Sequence, residues 1–169
     1  MTAALISAFA RAQTGIPPAA PPPLTPGTHM PHFVSTTDGG VPFDSVSLRG
    51  HVVVLDFWAT WCISCKMDMP GIQGIYRSYR GRGLKVVGVS LDTDNVKLVP
   101  STVKAIGATF PIVANAKLNL DTGRAFNANV LPCVYVIDKH GIVRWSYSGD
   151  YAGEDTDIRA LVAKLLAQK

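Results

Sequence analysis

The sequence predicts an α/β fold in which a central, mixed β-sheet is flanked by helices. Two almost continuously apolar stretches, residues 51–58 (HVVVLDFW) and 84–91 (LKVVGVSL), are typical of strands buried on both faces. An amphipathic segment, residues 62–80, lies between them, and a strand–helix–strand unit of this kind forms a parallel pair with a right-handed crossover. Residues 133–138 and 142–146 flank a Lys-His-Gly turn and predict an antiparallel hairpin, so the sheet is mixed.

Further elements surround this core. A short hairpin with the turn Thr37-Asp38-Gly39-Gly40 precedes the first long strand, and Pro42 favours an edge position in it because proline has no N–H to donate. The last helix is expected to carry acidic residues in its first turn, which suits the helix dipole. The remaining predicted elements are helices over 95–107, 118–126 and 154–167 and a short strand over 110–113.

Length and composition place the chain among single-domain globular proteins. A length of 169 residues is sufficient for one domain with a substantial core. The hydrophobic fraction of 47% and the charged fraction of 17% exclude a disordered protein. No apolar run reaches the roughly 18 residues that a membrane-spanning helix requires, which argues against an integral membrane protein.

The charge balance does not favour nucleic-acid binding. The formal net charge is +4, and the densest basic cluster contains Arg77, Arg80, Arg82 and Lys85. The basic excess is modest and scattered along the chain, whereas a nucleic-acid-binding surface typically concentrates its basic residues in an extended stripe. We therefore expect no nucleic-acid partner.

The first 31 residues differ in composition from the rest of the chain. Residues 1–12 are apolar, rich in small residues and contain Ala-x-Ala patterns, which indicates a signal-peptide remnant. No Lys or Arg precedes Arg11, so a simple apolar tail is the alternative. Residues 13–31 hold seven of the twelve prolines, which favours an extended linker. The folded domain is therefore expected to span residues 32–169.

Two cysteines carry the predicted chemistry. Cys62 and Cys65, three residues apart at the start of a helix, lie on one face and close enough to bridge. The N–H groups and the dipole of a helix N-terminus stabilise a thiolate, so Cys62 is the predicted nucleophile. Cys65, one turn further on, is placed to attack the mixed disulfide that Cys62 forms. A Cys-x-x-Cys pair beside a βαβ unit therefore predicts redox activity.

Two other uses of a cysteine pair fit the sequence less well. A structural zinc site needs two further ligands, and the chain has no second cysteine pair or close Cys/His set. Attachment of haem requires His after the second cysteine, where this chain has Lys66. We therefore expect neither a metal nor a cofactor.

The active-site stretch resembles that of thioredoxin. The resemblance rests on residues 54–66 (VLDFWATWCISCK) and on Pro70, five residues after the second cysteine. The N-terminal β-hairpin, the inserted strand–helix region and residues 131–141 (LPCVYVIDKHG) resemble the bacterial, extracytoplasmic branch that includes the TlpA, ResA and CcmG proteins. The resemblance covers about residues 32–169 and implies a thioredoxin-like fold.

The resemblance also implies roles for two matching positions. Pro132 matches the cis-proline that lies against the disulfide and helps to receive the substrate chain. Asp56 matches the buried acid behind the second cysteine. Burying a charge inside so apolar a strand costs several kcal/mol, so this carboxyl should have a raised pKa and could take the proton from Cys65.

Some positions depart from the family pattern. The dipeptide between the cysteines is Ile63-Ser64 instead of Gly-Pro or Pro-Pro, and the absence of His there argues against a strong oxidant. Cys133 stands where relatives usually carry Thr. We expect it to remain a free, largely buried thiol that shapes the substrate groove. The other candidate substrate contacts are Trp61, Leu131 and Pro132.

The predicted function is that of a thiol–disulfide oxidoreductase that reduces protein disulfides. The resemblance implies an extracytoplasmic setting, periplasmic or membrane-tethered in a bacterium, in cytochrome c maturation or similar redox maintenance. It also implies a membrane electron donor, and we expect a monomer. One alternative is a peroxidase of the peroxiredoxin kind, although Leu55 and Ala59 occupy the positions of its Pro and Thr/Ser. Another is a copper-binding assembly factor, whose relatives have cysteines one residue further apart.

Overall fold

The structure is a computed structural model that describes residues 20–149 and 155–168. The predicted signal segment, residues 1–12, and the first part of the predicted linker, residues 13–19, lie outside the described residues. Within the described part of the chain, no helix is long and apolar enough to cross a membrane. The elements in chain order are β1 (Val34–Thr36), β2 (Pro42–Asp44), β3 (Val52–Trp58), α1 (Ile63–Tyr79), β4 (Leu84–Ser90), α2 (Val99–Ile106), β5 (Ile112–Val113), α3 (Ala116–Ala125), β6 (Cys133–Ile137), β7 (Val143–Ser148) and α4 (Asp155–Ala167).

The main sheet has β3 at its centre. Its strand order is β5-β4-β3-β6-β7, with β3 parallel to β4 and antiparallel to β6. All seven residues of β3 are buried, as expected for a strand covered on both faces. Asp56 at the middle of β3 lies opposite Gly88 of β4 and Val134 of β6. The predicted mixed sheet, with its parallel and antiparallel halves, is therefore confirmed.

The predicted N-terminal hairpin is confirmed as a separate two-stranded sheet. β1 and β2 pair antiparallel, with Ser35 opposite Phe43. A single bridge between Thr37 and Val113 joins the hairpin to β5 at the edge of the main sheet. The inserted region, β5 and α3, is consequently held between the hairpin and β4.

The two faces of the sheet bury two separate hydrophobic clusters. Along β3, Val54 and Trp58 point into the first cluster, which α1 and α4 cover and which contains both paired cysteines. Leu55 and Phe57 point into the second cluster, on the face of α3 and the hairpin. This alternation follows from the two-residue period of a strand, and it decides which side chains reach the cysteine pair.

The helix expected over residues 95–107 is divided. A 3-10 turn, Val96–Leu98, precedes α2. Pro100 stands in the first turn of α2, where its missing N–H costs no intrahelical bond, so it favours a new helix start. Gly107 ends α2 with φ of 78°, a left-handed conformation that glycine adopts without strain.

The end of the proline-rich segment is not the free linker expected for residues 13–31. The Gly27 N–H donates to the Val143 carbonyl at 2.8 Å, and the Val143 N–H donates to the Thr28 carbonyl at 2.9 Å. Leu24 and Met30 pack against the second hydrophobic cluster. The non-proline residues of this segment retain N–H groups that pair with the outer edge of β7. Contacts with the domain therefore reach back to Leu24, upstream of the start at residue 32 that the sequence predicts.

Candidate active site

The cysteine pair lies at the N-terminus of α1. Cys62 is the N-cap of this helix, and its Sγ accepts the Cys65 N–H at 3.2 Å. The two cysteines form a disulfide with 5.4 Å between their Cα atoms. Cys62 is 6% exposed and Cys65 only 1%, so Cys62 is the sulfur that a partner reaches first. This is the arrangement that the spacing of the two cysteines predicted.

The turn before Cys62 is held by a carboxylate that the sequence analysis missed. Asp92 is 1% exposed and follows β4 at the end next to Trp58. The Thr60 N–H donates to Asp92 Oδ2 at 2.9 Å, and the Thr60 hydroxyl donates to Asp92 Oδ1 at 2.6 Å. The Lys66 ammonium donates to the Thr60 carbonyl at 3.1 Å. A polar residue directly after a parallel strand beside β3 was the available signal, because the carboxyl ends of parallel strands meet at one edge.

Asp56 of β3 lies on the face of the sheet that carries the cysteine pair, because it alternates with Val54 and Trp58 on that face. Its side chain is 1% exposed, and Oδ2 has no hydrogen-bond partner among the described residues. Burial, and to a lesser extent the nearby carboxylate of Asp68, raises the pKa of Asp56 to about 8. Asp56 therefore holds a proton at neutral pH and can release it as the pH rises.

Asp68 is a second acidic residue that the sequence analysis did not select. It lies on α1, three residues after Cys65, and so on the same side of the helix. The Tyr147 hydroxyl of β7 donates to Asp68 Oδ2 at 3.1 Å. The helical spacing from Cys65 was the available signal, whereas its contact with Tyr147 depends on tertiary packing.

The predicted substrate contacts differ in their exposure. Trp61 is 63% exposed, and Leu131 is half-buried and packs against both hydrophobic clusters. The Leu131–Pro132 peptide bond is cis, as the resemblance implied. Ile63 and Met67, which the sequence analysis did not select, are 71% and 74% exposed. Since they stand four residues apart on α1, they form an apolar ridge beside Cys62.

Cys133 is free and fully buried, as predicted. Burial raises the pKa of its thiol to about 11, so it carries little thiolate at neutral pH. Its side chain lies in the second cluster, whereas the neighbouring Val134 lies in the first cluster with the cysteine pair. The structure therefore contradicts a substrate contact by the Cys133 side chain. Alternation along β6 turns it to the opposite face of the sheet.

The fold, the cysteine pair and a comparison with known proteins together identify the class of protein to which this chain belongs. The fold and the cysteine pair define a thiol–disulfide oxidoreductase domain with a thioredoxin-like fold. The chain belongs to the AhpC/TSA family, which matches residues 26–146. It is 31% identical over 131 residues to the thiol-disulfide oxidoreductase ResA of Geobacillus kaustophilus, covering 78% of this chain and 74% of that protein. The family suggested by the active-site stretch is thus confirmed.

Other relatives agree with this class. Protein DipZ of Mycobacterium tuberculosis is 36% identical over 132 residues, which are 75% of this chain but only 19% of DipZ. The solved structure of a thiol:disulfide interchange protein of the thioredoxin family from Chlorobium tepidum has a TM-score of 0.70 and 27% identity, covering 85% of this chain and 99% of that chain. A secreted disulfide oxidoreductase from Mycobacterium tuberculosis has a TM-score of 0.70 and 25% identity, covering 79% and 96%.

Proposed function

We propose that this chain reduces disulfides of protein substrates outside the cytoplasm, through a cycle between the Cys62–Cys65 dithiol and disulfide. The observation that carries the proposal is the hydrogen bond from the Cys65 N–H to Cys62 Sγ at the helix N-terminus. The same N–H and the positive end of the helix dipole stabilise a thiolate on Cys62 in the reduced protein. Cys62 is therefore the nucleophile.

The first step forms a mixed disulfide. The Cys62 thiolate attacks one sulfur of the substrate disulfide, the substrate S–S bond breaks, and the other substrate sulfur leaves as a thiolate. The attacking sulfur must be accessible, and Cys62 is the more exposed member of the pair. The product of this step is a Cys62–substrate disulfide and one free substrate thiol.

The second step releases the substrate. Asp56, in its ionised form, takes the proton from the Cys65 thiol, and the resulting thiolate attacks Cys62 Sγ. The Cys62–substrate bond breaks, and the second substrate sulfur leaves as a thiolate and takes up a proton. The protein is left with the Cys62–Cys65 disulfide, and two electrons from an external dithiol restore the reduced pair. The resemblance to the extracytoplasmic branch supports a membrane protein as that donor.

Exposed apolar groups next to Cys62 support an extended polypeptide as the substrate. Trp61, Ile63 and Met67 provide a surface for apolar side chains. The backbone of Leu131 forms no hydrogen bond within the described residues, so its N–H and C=O can pair with a substrate backbone. Pro132, in contrast, uses its carbonyl to accept the Gly149 N–H at 2.9 Å.

The relatives support an extracytoplasmic setting. One solved relative is described as secreted, and another carries the name ResA, the branch that the active-site stretch resembles. Redox maintenance of exported proteins, including cytochrome c maturation, is the setting that we propose. A dithiol poised to reduce substrates there needs a continuous supply of electrons, because that environment is oxidising.

A peroxidase is the second candidate, because the chain belongs to the AhpC/TSA family. The geometry disfavours it. Ala59, at the position of the peroxidase Thr or Ser, is a buried methyl group without a hydroxyl. The neighbouring Thr60 has a hydroxyl, but it is engaged by Asp92 at 2.6 Å. Neither residue is free to polarise a peroxide at Cys62.

The test is reduction of insulin disulfides driven by dithiothreitol. Wild-type protein should catalyse the reaction, and Cys62→Ser should abolish catalysis because the nucleophile is lost. Cys133→Ser is the matched control, since it removes a thiol on the other face of the sheet. Consumption of hydrogen peroxide, followed in parallel, separates the two candidates. Full insulin reduction by Cys62→Ser, or faster turnover of peroxide than of insulin, would reject the proposal.

A further inference from the structure

A groove of about 230 Å³ lies at the end of the domain away from the cysteine pair. The C-terminal end of α1, the start of β4 and the 3-10 turn after β2 form it. Since α1 begins beside Cys62 and has 17 residues, its two ends are about 25 Å apart. A molecule in this groove therefore leaves Cys62 uncovered.

Apolar residues form most of the floor and walls of the groove. Leu48 and Leu84 are buried at its base, and the half-buried rings of Phe43 and Tyr76 line its sides. A space of this size holds one large aliphatic or aromatic side chain. Removing such a side chain from water is favourable, so the groove offers an anchor point to a ligand.

The rim of the groove is positively charged. Arg80 and Lys85 line it, and the Arg80 guanidinium lies 5.8 Å from the centre of the Tyr76 ring. None of the described residues that line the groove is acidic. Neither cation forms an ion pair with a carboxylate in the part of the chain that the structure describes. The rim therefore carries positive charge that the described protein does not compensate.

The N-terminal part of the chain, up to the turn after β2, offers little complementary charge. Asp44, which follows Phe43 in the sequence, accepts hydrogen bonds from His32 and from the Val46 N–H, both at 2.8 Å. Residues 1–19 contain neither Asp nor Glu, and the first acidic residue of the chain is Asp38. Neither Asp44 nor the N-terminal segment therefore supplies a free carboxylate to the rim, whereas a separate molecule can do so.

We propose that this groove binds a segment of a partner protein in which an apolar side chain is flanked by carboxylates. The apolar side chain enters between Phe43 and Tyr76. Arg80 donates two parallel N–H bonds to one carboxylate, because a stacked guanidinium presents a planar fork, and Lys85 donates to another. Bound in this way, the partner is held to the domain while Cys62 stays free to react.

Two other anionic surfaces fit the groove less well. A nucleic acid would place its phosphates along a continuous basic track, whereas the charge here surrounds an apolar floor. A lipid bilayer is flat, and a concave site would leave the apolar floor out of contact. The concavity and the two cations favour a short acidic segment of polypeptide.

The test measures binding of a labelled acidic peptide, Asp-Glu-Phe-Asp-Glu, by fluorescence anisotropy at about 0.1 M salt. We expect the peptide to bind wild-type protein and to bind Arg80→Glu and Lys85→Glu at least about tenfold more weakly. Lys117→Glu is the matched control, because it makes the same charge change at an exposed position on α3 and should leave affinity within about twofold. Circular dichroism of each variant verifies that it is folded.

Peptide variants and competitors separate the parts of the proposal. Asn-Gln-Phe-Asn-Gln and Asp-Glu-Ser-Asp-Glu should each bind more weakly, since one lacks the charge and the other lacks the anchor. Binding should persist in Cys62→Ser, so the outcome is independent of the redox cycle. Failure of the acidic peptide to bind, equal weakening by Lys117→Glu, or stronger Arg80-dependent binding of single-stranded DNA or anionic vesicles would overturn the proposal.

Discussion

The carboxylate of Asp92 receives two hydrogen bonds from Thr60, one from its backbone N–H at 2.9 Å and one from its hydroxyl at 2.6 Å. Thr60 stands two residues before Cys62, so a side chain at the end of β4 holds the turn that presents the reactive cysteine. The same carboxylate accepts the Ser90 hydroxyl at 2.9 Å, and the Asn119 amide of α3 donates to the Ser90 carbonyl at 2.8 Å. The inserted region is thereby connected to the active-site turn.

Replacing Asp92 by Asn should impair this turn. The amide places an NH2 group where the carboxylate accepted hydrogen bonds, so at least one buried donor loses its partner at about 1–3 kcal/mol. We expect a melting temperature lower by about 5 °C and attack on a protein disulfide slower by about tenfold. Thr60→Val loses only the hydrogen bond from the hydroxyl to Asp92. It should therefore lower the melting temperature and the attack rate less than Asp92→Asn does. Equal effects of the two variants on the attack rate would contradict the role of the backbone hydrogen bond.

Replacing Asp56 by Asn should slow the release step. The pKa of Asp56 is raised to about 8, so wild-type release of the mixed disulfide should accelerate as the pH rises through that value. In Asp56→Asn we expect this inflection to disappear and release at pH 8 to slow by about 100-fold, while the first attack by Cys62 changes less than about threefold. Stopped-flow measurement of both steps between pH 6 and pH 9, about one pH unit or more around the pKa, decides the matter.

Asp68→Asn provides a control for that assignment. The carboxylate of Asp68 raises the pKa of Asp56, so its neutralisation should move the inflection to lower pH without removing it. An unchanged inflection in Asp68→Asn, together with a persisting one in Asp56→Asn, would assign the titration to another group.

The raised pKa of Asp56 should also make stability depend on pH. The unfolded carboxyl releases its proton near pH 4, whereas the folded one retains it up to about pH 8. The folded state therefore binds more protons in this interval, and this group's contribution to stability falls as the pH rises from about 4 to 8. Asp56→Asn should melt at least about 3 °C above wild type at pH 8, with a smaller difference at pH 5. If the melting temperature of Asp56→Asn exceeds that of wild type by as much at pH 5 as at pH 8, this interpretation is contradicted.

Removing residues 1–31 should destabilise the domain. The deletion removes the hydrogen bonds that Gly27, Thr28 and Met30 make with β7 and its turn, and the apolar contacts of Leu24 and Met30. We expect a loss of more than about 5 °C in melting temperature relative to a deletion of residues 1–19, which isolates the contribution of residues 20–31. Equal melting temperatures of the two deletions would restore the linker interpretation.

Replacing Cys133 by Thr should leave substrate preference unchanged. The side chain lies in the second cluster, and its thiol is fully buried on the face away from the paired cysteines. A hydroxyl costs more to bury than a thiol, so the melting temperature should fall by about 2–4 °C, whereas the ratio of rates for two protein disulfides should stay constant. A changed ratio in Cys133→Thr but not in Cys133→Ala would show that the groove is sensitive to this position.

The sequence by itself determined the order of the main elements and the reactive pair. Two apolar strands around an amphipathic helix predicted the parallel unit, and the Cys-x-x-Cys spacing at the start of that helix located the disulfide. Both features are local. Hydrophobic period, turn residues and helix geometry act over a few residues, so they can be inferred without knowing what packs against them.

Tertiary structure decided which site residues form hydrogen bonds with one another and towards which face of the sheet each buried side chain points. Asp92 meets Thr60, and Tyr147 meets Asp68, because separate strands end at one edge of the sheet and α1 packs on one side of it. All five residues of β6 are buried, so no alternation of polar and apolar residues indicated which face Cys133 takes. The pairing of Cys133 with Phe57 in the β3–β6 register set that face. The apolar sequence of a strand predicts that it is buried on both sides. The face towards which each side chain points is set by the register with the neighbouring strands.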